Sequence, residues 1–160
     1  PWLAPGDPML TLLGAAVPAP VIDRMRGYYS KREPRAVDAA RQRYSILQRS
    51  LAKLNAAGAR IVLGADTGLE DHHFGFAEQL ELQAMVEAGM SPSQAIVAAT
   101  SRAAEFLALR DRGALVPGRR ADFLVLDANP LDNVSNTRRL SRIYIGNVEV
   151  DREALLTVMR

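Results

Sequence analysis

Apolar residues return at helical spacing from about Ala36 to Ala57, where Tyr44, Leu47, Leu51 and Leu54 share one face and Gly58 stands where a helix cap belongs. The spacing predicts one long helix. Arg60-Ile61-Val62-Leu63-Gly64 then breaks the period with a short, apolar run that lacks polar alternation, the pattern of a strand covered on both faces of a parallel sheet. A loop through Ala65-Asp66-Thr67-Gly68 and His72-His73 follows, and helical spacing resumes near Phe76 and runs to about Ala88. Gly89 ends that helix. Ser91-Pro92-Ser93-Gln94 next supplies a cap, a proline at the first helical position and a capping-box glutamine, predicting a helix from Pro92 to about Leu107. Ile96, Thr100, Ala103 and Leu107 would share one of its faces.

On either side the pattern differs. Residues 1–38 are rich in proline and glycine and show little periodicity beyond a short helix from Pro20 to Tyr29 and a candidate strand near Trp2-Leu3. After Gly113, Ala114-Leu115-Val116 and Asp122 to Leu126 read as strands separated by a Pro117-Gly118 turn. Ile143 to Ile145 and Val148 to Val150 flank Gly146-Asn147, a two-residue hairpin signal, and a short helix from Asp151 to Met159 closes the chain.

Composition narrows the classes. A hydrophobic content of 48% in 160 residues is enough for a core, and a net charge of +2 gives no reason to expect a nucleic-acid partner. Arg138, Arg139 and Arg142 cluster without interleaved aromatics, which reads as a solvated face. With no cysteine, disulfides, thiolate metal sites and thiol nucleophiles are excluded together, and the composition fits the cytoplasm. Leu10 to Ile22 is interrupted by Gly14, Pro18 and Pro20 and falls short of the ~20 residues of a membrane span, so no membrane association is expected. The first residue is Pro1 rather than Met, which suggests a piece of a longer chain.

The chemistry centres on Asp66. A carboxylate just beyond the carboxyl end of a buried parallel strand stands where α/β enzymes place reactive groups, although Asp-Thr-Gly is also ordinary turn chemistry. Gly64-Ala65-Asp66-Thr67-Gly68 is followed by Glu81-Leu82, by Met85-Val86-Glu87-Ala88-Gly89-Met90-Ser91-Pro92, and by Ala98-Ala99-Thr100 with Ala103-Ala104-Glu105. Gly113-Ala114-Leu115-Val116-Pro117-Gly118-Arg119-Arg120-Ala121-Asp122, Val125-Leu126-Asp127 and Asn129-Pro130-Leu131 complete the series. In this order and spacing, from about Leu51 to Val150, the chain resembles the amidohydrolase superfamily, especially its imidazolonepropionase-like and prolidase-like members.

The resemblance implies an α/β fold, the carboxy-terminal part of a (β/α)8 TIM-type barrel followed by part of a small β-sandwich. Residues 1–112 would belong to the barrel, with its last strand at about 60–64, residues 113–150 to the sandwich, and 151–160 to a terminal helix or tail. It implies that Asp66 is both metal ligand and catalytic carboxylate, with a divalent ion, zinc first and manganese or iron as alternatives. Such an ion lowers the pKa of bound water towards about 7, and the aspartate can carry that water's proton to a departing amine. The substrate would be a small amide, cyclic amide or peptide-like molecule. His72 and His73 are candidates for substrate contact, and Thr67 for orienting Asp66 as a donor behind it. Glu81 reads as a packing or ion-pairing residue and Asp122 as structural. The family's His-x-His pair is absent here, and a barrel takes about 250 residues, so the chain is expected to need a missing amino-terminal barrel segment and to be inactive alone. A non-catalytic remnant, an interaction module or half of a split enzyme is the alternative, and a homo-oligomer remains open.

Overall fold

A computed structural model describes residues 13, 17–31, 33–68 and 73–158. The suggested strand near Trp2-Leu3 lies outside the described residues. Helices α1 (Ala19–Ser30) and α2 (Pro34–Ala56) come first, followed by α3 (Ala77–Glu87), α4 (Pro92–Ala99) and α5 (Ser101–Phe106). Strand β1 (Phe123–Leu126), a 3-10 turn over Val134–Arg138, strands β2 (Leu140–Ile145) and β3 (Val148–Glu149), and helix α6 (Arg152–Val158) complete the order. Among the described residues no helix is long and apolar enough to cross a membrane.

Local chemistry sets most of these boundaries. Helix α2 has proline in its first turn and ends in a six-to-one, five-to-two pair of hydrogen bonds, from Ala59 N–H to Leu54 O and from Gly58 N–H to Asn55 O, both 3.0 Å. Gly58 makes that turn at φ +75°. Helix α3 ends the same way at Gly89, with Met90 donating to Met85 O. The capping box is formed, the Ser91 hydroxyl accepting from Gln94 N–H at 3.1 Å and the Gln94 side chain accepting from Ser91 N–H at 2.8 Å.

The main core joins Leu82, Met85, Met90, Ala95, Ala98 and Val134, with Leu51, Ile61 and Leu63 packed against it. Val134 arrives from the 3-10 turn, so the carboxy-terminal part is anchored on α3. Thr137 there shares its hydroxyl proton between Val134 O (2.6 Å) and the Gln79 side chain (2.5 Å), and Arg138 donates to Gln83 Oε1 at 3.1 Å. Arg138 is thus half-buried rather than part of a solvated arginine face, and desolvation lowers its pKa.

The expected barrel strand at 60–64 is not a strand here. A strand requires a ladder, and instead Leu63 N–H donates to Ala98 O at 3.2 Å, satisfying a carbonyl left over in the last turn of α4. Ile61 and Leu63 still put their side chains on the core. Ala114-Leu115-Val116 also forms no strand, and Leu115 is left 73% exposed. The single helix expected from Pro92 to Leu107 is two helices broken at Thr100 (φ −122°, ψ −89°), whose hydroxyl donates back to Ile96 O at 2.7 Å. Helix α2 presents a different stripe from the one expected. Val37, Ala40, Tyr44, Ser45, Gln48, Leu51, Ala52 and Asn55 are its half-buried positions, while Leu47 and Leu54 are exposed.

The sheet is antiparallel with order β1-β2-β3. Gly146 and Asn147 both have positive φ, +59° and +68°, as a two-residue hairpin of the primed type demands. Asp122 anchors this turn, accepting from Gly146 N–H at 2.6 Å and from Arg120 Nε at 3.1 Å. On one sheet face the paired Phe123 and Tyr144 stack with ring centroids 4.6 Å apart. The opposite face carries Leu124, Ile143, Ile145 and Val148, of which Leu124, Ile145 and Val148 are exposed.

Candidate active site

The segment that leaves the core at Leu63 runs through Gly64 and Ala65 into Asp66, which is exposed and takes up a left-handed backbone (φ +51°). Aspartate is among the few non-glycine residues that tolerate this region. The chain therefore turns sharply at the candidate carboxylate. Gly68 continues the turn at φ +108° and lies close to Phe74, so the two arms of the loop meet there.

Glu78, in the first turn of α3, holds both arms. Its Oε1 accepts a hydrogen bond from the Thr67 hydroxyl, and its Oε2 accepts from Gly75 N–H at 2.8 Å. Burial acts to raise the Glu78 pKa, but the hydrogen bonds from Thr67 and from backbone N–H groups outweigh it and keep the carboxyl below its ordinary value. The group is therefore an anion at neutral pH and only accepts. A hydroxyl has one proton, so Thr67, having given its proton to Glu78, is not a donor to Asp66 in this arrangement.

His73 sits on the second arm. Its carbonyl accepts from Phe76 N–H (3.1 Å) and Ala77 N–H (3.0 Å) at the start of α3, and its Nε2 lies 3.2 Å from Met25 Sδ on α1. Phe76 packs on a second cluster of Leu13, Ile22 and Met25. His72 lies outside the described residues. Glu81 is half-buried on α3 and, with Glu87, raises the pKa of Tyr44, for which desolvation is the larger cause.

Among the described residues no three His, Asp or Glu side chains gather so as to hold a metal ion. A metal is therefore not accommodated by these residues alone, and Asp66 offers at most one ligand. Glu78 is the residue that sequence reasoning missed. The available signal was an acidic side chain in the first turn of the helix that closes the loop, three positions after Gly75.

The sequence profile of the Amidohydrolase family matches residues 32–157, and the chain belongs to that family. Imidazolonepropionase of Deinococcus deserti is 41% identical over 86 residues, covering 53% of this chain and 21% of that protein. The solved structure of molinate hydrolase superposes with a TM-score of 0.60 at 30% identity, over 66% of this chain and 26% of the other. A Xaa-Pro dipeptidase crystallised with methionine in its active site gives 0.58 at 26% identity, over 64% and 25%. The chain thus spans about a fifth to a quarter of the length of these relatives.

Proposed function

We propose that this chain is the carboxy-terminal portion of an amidohydrolase whose complete form hydrolyses carbon–nitrogen bonds in small amide, cyclic amide or peptide-like substrates, with Asp66 as its proton-transferring carboxylate. Residues 1–112 would complete the barrel and 113–150 part of the small β-domain. The observation that supports this most is the placement of Asp66, exposed in a left-handed turn where the core-packed Ile61–Leu63 segment ends. Family membership and the ordered motifs around it agree.

In this reading the Asp66 carboxylate takes a proton from a water as that water's oxygen bonds to the substrate carbonyl carbon. The carbon–nitrogen bond then breaks, and Asp66 returns the proton to the nitrogen, so that the amine leaves neutral. A divalent ion, zinc first and manganese or iron otherwise, would supply Lewis acidity and take Asp66 as one ligand. The described residues do not by themselves make a site for it. His73 is engaged with Met25 and, with His72, is assigned no more than substrate contact.

The deciding experiment is Asp66→Asn in the full-length protein. Asparagine is nearly isosteric and caps turns about as well as aspartate, yet cannot act as a base at neutral pH. Turnover on an amide, a cyclic imide or a dipeptide should fall by about 10²- to 10⁴-fold with the fold intact. Activity within a few-fold of the parent, with metal content measured in parallel, removes Asp66 from the mechanism.

A further inference from the structure

Glu78 belongs to no motif of the resemblance, yet it makes the contacts that define the candidate loop. Thr67 is the residue after Asp66, and Gly75 is two residues before α3 begins. One carboxylate binds both, Oε1 taking the Thr67 hydroxyl and Oε2 the Gly75 N–H, so a single rigid group fixes the start and the end of the loop. The group is itself rooted in the first turn of a helix. Ala77 beside it is buried, and Leu82 and Met85 of the same helix belong to the main core, so the clamp is rooted in packed structure. Phe76, two residues before Glu78, is packed on Ile22 and Met25 and fixes the start of the helix.

The backbone at Asp66 is uncommon. Its φ of +51° lies in the left-handed region, which side-chain-bearing residues adopt rarely even though aspartate tolerates it better than most. The very next residue, Thr67, is tied to Glu78 through its hydroxyl.

We infer that Glu78 is a positioning residue for Asp66, its carboxylate clamping Thr67 and Gly75 so that the left-handed turn at Asp66 is held ready for proton transfer. This inference rests on the catalytic reading of Asp66. Glu78 does not touch substrate. It acts on the geometry of its neighbour, and displacement of a reacting group by about 1 Å can cost on the order of 10²-fold in rate.

The test uses the full-length protein with Glu78→Ala, Glu78→Gln and Thr67→Val alongside Asp66→Asn. Glu78→Ala removes both contacts and should lower kcat by roughly 10- to 100-fold with KM little changed, while amide exchange at Gly75 accelerates. Glu78→Gln keeps an acceptor for Gly75 and an amide that can donate to the Thr67 oxygen, so it should restore most of kcat and the slow exchange. Thr67→Val removes the hydroxyl at nearly constant volume, should lower kcat in part, and decides the matter if Glu78→Ala does not fold. Combining it with Glu78→Ala should add little further loss, because both act on one contact. Wild-type kcat in Glu78→Ala or in Thr67→Val, or equal damage from Ala and Gln at position 78, overturns the inference while an inactive Asp66→Asn leaves the catalytic reading standing. An active Asp66→Asn overturns that reading and the inference with it.

Discussion

The backbone of Gly113 lies directly against Ala104, so close that a Cβ built on Gly113 would stand 2.5 Å from the Ala104 Cβ and 3.0 Å from the Thr100 carbonyl oxygen. Gly113 also has a φ of +86°. The break at Thr100 and the small residues of α5 together give the 113 turn its seat. Gly113→Ala should therefore destabilise the chain by about 2–4 kcal/mol, from overpacking and a left-handed alanine. Thermal or urea unfolding will measure it, and adding Ala104→Gly should recover part of the loss. A neutral single variant would show that this packing is not tight.

Helix α5 ends in the same hydrogen-bond pattern as α2 and α3, Leu109 N–H to Ala104 O at 2.8 Å and Ala108 N–H to Glu105 O at 3.0 Å, but with alanine at the left-handed position (φ +57°). Glycine carries no Cβ penalty there. Ala108→Gly should stabilise by roughly 1 kcal/mol and raise Tm by about 2–4 °C. Scanning calorimetry decides it, and a lower Tm would mean that the methyl group packs usefully.

Acid should weaken the clamp at Glu78. Its folded-state pKa is depressed, so its contribution is complete above the unfolded-state value of roughly 4.3 and is lost as pH falls through the lower folded-state value. Glu78→Gln does not titrate. The stability difference between parent and variant, followed by Tm from neutral pH down to about 3, should favour the parent most at neutral pH and shrink on acidification. A difference independent of pH would contradict the hydrogen-bonded anion.

Zinc should bind the isolated 160-residue chain weakly or not at all, since no three ligating side chains converge among the described residues. Titration calorimetry gives the answer. Stoichiometric submicromolar affinity would reveal a complete site within this chain.

Features set by near neighbours along the chain are legible in the sequence. Gly58 and Gly89 as helix ends, the Ser91–Gln94 capping box and the Gly146-Asn147 hairpin depend on a few adjacent residues, and each occurs where the pattern places it. Features decided by distant contacts are not legible in the same way. The break at Thr100 is made where the Gly113 backbone approaches, and periodicity along 92–107 carries no trace of that approach. The 60–64 run reads as a strand because it is apolar, but its pairing depends on a ladder partner, and its Leu63 N–H goes to a helix carbonyl instead. Which leucines of α2 face inward is set by how α3 lies against it, so the pattern places Leu51 correctly and misplaces Leu47 and Leu54. In the candidate site Asp66 stands out by motif, whereas Glu78 acts across eleven residues through Thr67 and leaves only a faint signal.

The two faces of the small sheet differ in how water meets them. Around Tyr144 the surface is hydrophilic, because its hydroxyl donates to Glu149 Oε2 at 2.8 Å and Arg142 lies 3.8 Å from the same carboxylate's other oxygen. Across the sheet, Leu124, Ile143, Ile145 and Val148 form a patch that water wets poorly. A chain bearing such a patch should adsorb at air–water boundaries and on plastic. Its losses on dilution, shaking or filtration would then report the wetting of this single face rather than the stability of the helical core.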